Sequence, residues 1–380
     1  MAAPCPFSKS AMIPDEDFPS DSERPNDPEP AESPEHGVGD GPAPSHAQPP
    51  PLGESGQGEE GSRVGKEAPY IAAVLLVLLA LLASLFAPGH VQRAETAPTP
   101  AHPEEEFLQH EATAFLSAIN MALIAGGLVC LSFILARLRS PRPLIKPREA
   151  APARWIWWDL VKVLAVQQVL LILLTSFLPP PANGPGRGFW LSSIIASFAA
   201  AGLAIRVAVV DRRSPPASLG LTAKNWPLFV VIGAVAFLAF WPIHVGVMTL
   251  GGWIMQSFDI RLPPQDVVVM FAEVDDPLTL LLLACSALIV APVVEELFFR
   301  GMLIPLLERH MRGWLAILLS ALVFGAFHFN LRAFVPISLL GLGLGYVFWR
   351  TRSLVAPIAF HFFYNVVALV LIFMVRMMNA

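Results

Sequence analysis

The sequence predicts an all-α protein, a polytopic bundle of eight or nine transmembrane helices with a disordered N-terminal tail. Three observations predict it. Apolar residues make up 54% of the chain and charged ones only 14%, against about 25% charged in a soluble domain. Apolar runs long enough to span about 30 Å of hydrocarbon recur from Pro69 onward. The first 67 residues are instead rich in Pro, Glu, Asp, Gly and Ser, and such a composition cannot bury enough surface to offset the entropy of ordering.

Taken in order, residues 1–67 read as an acidic, Pro-rich cytoplasmic tail, a solvated spacer with no basic stretch and apolar run of the signal-peptide kind. Nine candidate spans follow, at 69–88, 112–136, 160–179, 189–210, 227–251, 278–307, 314–330, 334–349 and 354–375. The first is the cleanest, with IAAVLLVLLALLASLFA at its centre. Residues 68–252 thus form an N-terminal set of membrane helices and 277–376 a C-terminal bundle. Lys162, beside Asp159 and the Trp155–Trp158 cluster, reads as an interfacial anchor. Arg206, near the end of its span, should snorkel to the interface. His244 follows Trp241-Pro242 and should sit at a kink, where backbone carbonyls freed by the proline need a donor. Gly341, Gly343 and Gly345 let neighbouring helices approach closely, which is packing rather than chemistry.

Loop charges orient the bundle. Arg137, Arg139, Arg142, Lys146, Arg148 and Arg154 lie on one side, joined by Arg212, Arg213 and Lys224, then Arg309 and Arg312, then Arg350 and Arg352. The alternate loops are acidic, with Glu104-Glu105-Glu106 after the first span and Glu273, Asp275 and Asp276 before the sixth. The positive-inside rule puts the N-terminus in the cytoplasm and the C-terminus outside, as expected of a multi-pass protein of the inner or plasma membrane.

Other classes are disfavoured. The net charge of −5 comes with no basic patch, so nucleic acid is not a partner. Cys5, Cys130 and Cys285 are odd in number and lack metal-ligand spacing, which argues against a disulfide framework or a thiolate zinc site.

The chemistry concentrates in three polar segments, each set in apolar sequence: Glu295-Glu296-Leu297-Phe298-Phe299-Arg300, Phe324-x-x-x-His328 and His361-x-x-x-Asn365. A charge at mid-bilayer costs about 3 kcal/mol even on lenient scales, so such groups are rare and usually functional. Glu296 and Arg300 fall on one helical face, the acid N-terminal to the base, in the favourable order for an ion pair. Glu295 is rotated about 100° away and stays available as the working carboxylate. Phe324 and His328 share a face, and so do His361 and Asn365. His328 can hold or help to deprotonate a water beside Glu295, while His361 and Asn365 offer two donors to the oxyanion of a tetrahedral intermediate. Alternatively Glu295, His328 and His361 could ligate a zinc ion whose bound water is the nucleophile, although no His-Glu-x-x-His helix occurs. Glu295 and His328 reach the same depth, roughly 18 and 21 Å from the cytoplasmic ends of their helices, only if Met302–Leu307 continues the sixth span.

In order and spacing these motifs resemble the CPBP family of intramembrane proteases, which includes the CAAX prenyl endopeptidases of the Rce1 type and bacterial Abi relatives. The resemblance covers roughly residues 278–370. It implies peptide-bond hydrolysis within the membrane, of a membrane protein or lipidated peptide such as a prenylated CAAX protein. Glu295 and His328 would activate the water and His361 and Asn365 would hold the oxyanion, with Glu296, Arg300 and Phe324 as orienting residues. Members are often labelled metalloproteases, and a metal-free glutamate mechanism is also proposed for the CAAX enzymes, so zinc and metal-free schemes both stand. The competing reading is a non-catalytic membrane protein, a bacteriocin-immunity factor or transporter, that uses the same residues for binding or proton relay.

Overall fold

The structure, a computed structural model, describes residues 103–138, 149–178, 185–222 and 224–379. The tail 1–67 and the first candidate span, 69–88, lie outside the described residues. Every regular element among the described residues is helical. These are α1 (Pro103–Leu138), α2 (Trp157–Thr175), α3 (Arg187–Asp211), α4 (Trp226–Ser257), α5 (Asp266–Glu273), α6 (Pro277–Glu308), α7 (Gly313–Ala326), α8 (Leu331–Thr351) and α9 (Val355–Asn379). All but α5 and α7 contain a stretch long and apolar enough to cross a membrane, which makes seven among the described residues. The chain is an integral membrane protein with an all-α fold. The remaining eight candidate spans all recur as helices.

Three boundaries differ from expectation. Glu104–Glu106, read as part of an acidic loop, belong to the first turns of α1. The loop before α6 contains a short helix, α5, whose eight residues are too few to register against the long apolar runs on either side. The seventh candidate span ends four residues early, at Ala326 rather than 330. There the ladder closes with His328 N–H on Gly325 O and Phe329 N–H on Ala326 O. Phe329 then takes φ of 47°, and Asn330 caps α8 by accepting from Ala333 N–H at 3.0 Å.

The start of α6 is fixed by chemistry legible in the chain. Asp276 is its N-cap and Pro277 its first residue. Asp276 Oδ2 accepts from Thr279 N–H at 2.9 Å and from the Thr279 hydroxyl at 2.5 Å. Those bonds hold its carboxyl below the usual carboxylate range, with Arg187 adding to the effect. Further along, Pro292 and Pro305 supply no N–H, so the carbonyls of Leu288 and Gly301 lose their ordinary partners. The ladder loosens to i→i−5 over Ser286–Val290 and Leu297–Leu303, where Ala291 N–H reaches Ser286 O and Ile304 N–H reaches Phe299 O. Such π-turns often mark functional sites. Here they flank Glu295 and Glu296 on both sides. The helix nevertheless continues through Met302–Leu307, all of it buried.

In the packing, α2 lies on α3 and α3 on α6; α7 pairs with α8; and α4 packs on α1, α8 and α9. Phe298, Phe299, Met302, Leu303, Leu306 and Leu307 of α6 sit in one apolar cluster with residues of α2, α3 and α7. Of the residues beside Lys162, Trp155 belongs to the core. It is fully buried, and its indole N–H donates to the Met302 carbonyl at 3.0 Å. Asp159 is likewise buried and accepts both ends of the Arg212 guanidinium, at 2.8 and 3.1 Å. Lys162 and Trp158 remain exposed. Arg206 is exposed as expected, 3.8 Å from Asp211.

Candidate active site

The site forms where α6, α7, α8 and α9 meet. Glu296 and Arg300 are fully buried and bonded at 2.9 Å between Glu296 Oε1 and Arg300 Nη1. A buried pair needs further hydrogen bonds to offset its desolvation, and here they are partial, since Glu296 Oε2 and Arg300 Nε have no hydrogen-bond partner among the described residues. Arg300 Nη2 donates to the Gly341 carbonyl at 3.1 Å, and its guanidinium lies 4.5 Å from the Phe324 ring centroid, within cation–π range. The role of Gly341 therefore exceeds packing. A Cβ there would stand 3.0 Å from the Ala321 Cα and 3.2 Å from Phe324 Cδ1, so a larger residue would push away the carbonyl that holds Arg300.

Phe324 is the hub of the cluster. Its ring is fully buried, with the His328 imidazole edge-on at 5.0 Å and the His361 imidazole edge-on at 5.9 Å. Both motif histidines thus flank one phenyl ring, with Arg300 against it as well.

The two imidazoles are anchored alike. His328 Nδ1 is 2.8 Å from Phe324 O, and His361 Nδ1 is 3.0 Å from Glu296 Oε1. A carbonyl only accepts, and so does a carboxylate paired with a guanidinium, so each Nδ1 carries the proton. Each Nε2 is left as the outward-facing nitrogen. For His361 that atom lies 4.0 Å from Glu295 Oε2. The Glu295 side chain is 30% exposed where Glu296 is 0%. The two adjacent acids are thus separated by environment, one buried and paired, the other accessible and beside an imidazole.

Asn365 shares the α9 helix with His361 at the expected i,i+4 spacing. Its amide donates to the Ala287 carbonyl in the first π-turn of α6 at 2.8 Å, which leaves its second N–H for another acceptor. His328 lies beyond the end of α7 rather than on its face. It still meets Phe324 through the 2.8 Å bond.

With Nδ1 protonated and fixed, both histidines have the tautomer a metal ion would require. However, among the described residues no three His, Cys, Asp or Glu side chains converge to hold one. In this arrangement Glu295, His328 and His361 do not close around one point as three metal ligands would.

Fold and site together define an intramembrane carboxylate–histidine centre built on four helices of a polytopic membrane protein. Residues 277–367 match the family described as Type II CAAX prenyl endopeptidase Rce1-like. The match covers all three polar segments and begins at the first residue of α6. No curated protein and no solved structure matches the chain.

Sequence reasoning missed several supports of this centre: the Gly341 and Ala287 carbonyls, Trp155, and the partner of His244 described below. Backbone acceptors carry no sequence signal. Trp155 lies 147 residues from the carbonyl it meets, and nothing in the local pattern connects the two.

Proposed function

We propose that the protein is an intramembrane endopeptidase acting on a membrane-associated protein, with a prenylated CAAX-type C-terminus as the substrate class to which the family match points. The observation that carries this reading is the accessible Glu295 beside the buried, already paired Glu296, with the His361 imidazole turned toward it.

In this scheme Glu295 takes a proton from a water held between it and the scissile carbonyl, within reach of His328 Nε2. The hydroxide oxygen bonds to the carbonyl carbon, and the C=O π electrons become an oxyanion. His361 is a donor to that oxyanion once its Nε2 has taken the water proton on from Glu295 beside it, and the free N–H of Asn365 is the other. Collapse breaks the C–N bond, and the proton taken from water leaves on the amine. The His361 Nδ1–H keeps its hydrogen bond to Glu296 throughout, which keeps the ring aimed at Glu295. The basic loops put this chemistry in a bundle with its N-terminus in the cytoplasm.

The test is hydrolysis of a prenylated CAAX-type peptide by detergent-purified protein. Glu295→Gln keeps the size of the side chain and removes the base. Hydrolysis is expected to fall by about 10²- to 10⁴-fold, the usual contribution of a positioned acid–base group, with little change in thermal midpoint. Unchanged hydrolysis in that variant would remove Glu295 from the mechanism, and no hydrolysis by the unmodified protein would sink the reading in favour of a non-catalytic membrane protein.

A further inference from the structure

A second buried polar cluster joins the matched segment to helices outside it, where α1, α4 and α9 meet. His244, on α4, is 9% exposed. Its Nε2 is 3.2 Å from the Tyr364 hydroxyl, and its Nδ1 is buried with no hydrogen-bond partner. The ring is enclosed by Phe240, Trp241 and Tyr364, with centroids 5.9, 5.7 and 5.1 Å away. The Trp241 indole N–H donates to Asn120 Oδ1 on α1 at 2.9 Å.

This is not the arrangement expected of a histidine beside a helix proline. The carbonyl that Pro242 frees is that of Leu238, and the backbone of Gly127 on α1 packs against it so closely that a Cβ would collide with the oxygen. His244 turns instead to α9. An ionisable side chain within an apolar helix is costly, and a buried nitrogen without a partner adds to the cost. What the contact reaches is specific: Tyr364 stands three residues after His361 and immediately before Asn365. Lower on the same interface, Gly233 lets α4 approach α9 until a Cβ would be 2.8 Å from Ala359 Cβ and 2.9 Å from Phe360 N. The glycine contact sets the distance between the helices but does not resist rotation of α9 about its axis. The His244–Tyr364 hydrogen bond does resist it, because it is directional, and it does so from the α4 side, opposite the His361–Glu296 and Asn365–Ala287 bonds that tie α9 to α6.

From this geometry we infer that His244, through Tyr364, is a positioning residue for the candidate active site: it fixes the rotation of α9 that turns His361 toward Glu295. The inference deepens the protease reading and rests on it for its kinetic part. The N-terminal helices, which lie outside the family match, thereby take part in forming the centre.

The experiment compares His244→Leu, Tyr364→Phe, the double variant and His244→Gln in detergent-purified full-length protein. It measures kcat and KM on a prenylated CAAX-type peptide, thermal midpoints, and labelling of Glu295 by a hydrophobic carbodiimide read by peptide mass spectrometry. Each of the Leu and Phe single variants leaves one buried polar group unpaired and should lower the midpoint. The double variant replaces both partners by apolar groups and should recover it. The rate should not recover with it: kcat is expected to stay roughly 10- to 100-fold down at unchanged KM, the size of effect a small misplacement of reacting groups produces. His244→Gln, which can still reach the Tyr364 hydroxyl, should keep a rate closer to that of the unmodified protein. Glu295 labelling should rise in the double variant as the imidazole swings away. Recovery of kcat together with the midpoint, or labelling that does not change, would overturn the inference. If the unmodified protein hydrolyses nothing, the protease reading fails, and the labelling still decides whether His244 orients α9.

Discussion

Nδ1 of His361 lies 3.0 Å from Oε1 of Glu296, and the same oxygen accepts from the Arg300 guanidinium at 2.9 Å. One buried carboxylate oxygen therefore joins α6 to α9 and, through Arg300 and the Gly341 carbonyl, to α8. Helical spacing alone assigns Glu296 to Arg300. The fold gives it a second task, which is to fix the tautomer and aim of the imidazole nearest Glu295.

The two tasks can be separated. Glu296→Ala leaves a buried, uncompensated guanidinium and should cost about 3–5 kcal/mol of stability, the usual result of breaking a buried pair from one side. Replacing both partners, Glu296→Leu with Arg300→Leu, removes the stranded charge and should recover most of that loss in a thermal or denaturant melt. Hydrolysis should not return, because His361 has lost its acceptor. A double variant that is both stable and active would show that Glu296 serves only the ion pair.

Much of this centre was legible in the sequence. The Glu296–Arg300 pair follows from i,i+4 spacing, and the depth argument required Met302–Leu307 to continue the helix, as it does. Period and hydropathy located the long helices because each buries or faces lipid with nearly every residue. Neither signal could reach the rest. α7 ends at Ala326 because Phe329 turns to positive φ and Asn330 starts the next helix, a local backbone event inside an uninterrupted apolar run. The anchors of the two histidines are a main-chain carbonyl and a carboxylate 65 residues away, and Asn365 meets a carbonyl 78 residues back. Contacts of that range depend on which faces of the helices meet, and one sequence does not encode that locally.

Trp155 illustrates the difference between composition and position. A tryptophan cluster at the start of a span suggests the membrane interface, yet this ring is fully buried and bonded to the Met302 carbonyl within the second π-turn of α6. Arg309 also donates to the Trp155 carbonyl at 2.7 Å, which fixes the residue from its other end. Trp155→Phe keeps most of the volume and should cost about 1 kcal/mol for the lost hydrogen bond. Trp155→Ala should cost about 3–5 kcal/mol through the cavity it opens. Trp158→Ala, at an exposed position, is the control and should shift the thermal midpoint little. Equal effects at the two positions would mean that the buried Trp155 ring contributes no more than the exposed one.

Asp276 gives a pH dependence whose sign can be worked out. Its carboxyl is held below the ordinary aspartate value of 3.8, first by the hydrogen bonds from Thr279. A group with a depressed folded pKa stabilises the fold above its unfolded pKa, and that contribution fades as pH falls through the folded value. Asp276→Ala should therefore lower the thermal midpoint at neutral pH, and the gap from the unmodified protein should narrow below pH 3.8. A gap constant from pH 7 to pH 3 would mean that the loss of the cap is purely steric.

Elemental analysis of the detergent-purified protein separates a water activated by a carboxylate from one bound to metal. The tautomers of His328 and His361, each with Nδ1 anchored and Nε2 outward, satisfy the orientation a zinc ligand needs. The required convergence is missing, since no three candidate side chains come together among the described residues. His361 Nε2 lies 4.0 Å from Glu295 Oε2, wider than the roughly 3.3 Å between two ligands of a tetrahedral zinc ion each about 2 Å from the metal. The pair would have to close, and His328 is the residue that would have to supply a third ligand. The expected result is substoichiometric zinc and hydrolysis that survives a chelator. One equivalent of zinc, lost in both Glu295→Ala and His328→Ala, would instead mean that the turn at Phe327–Asn330 closes onto a metal, and the attacking water would then belong to zinc rather than to Glu295.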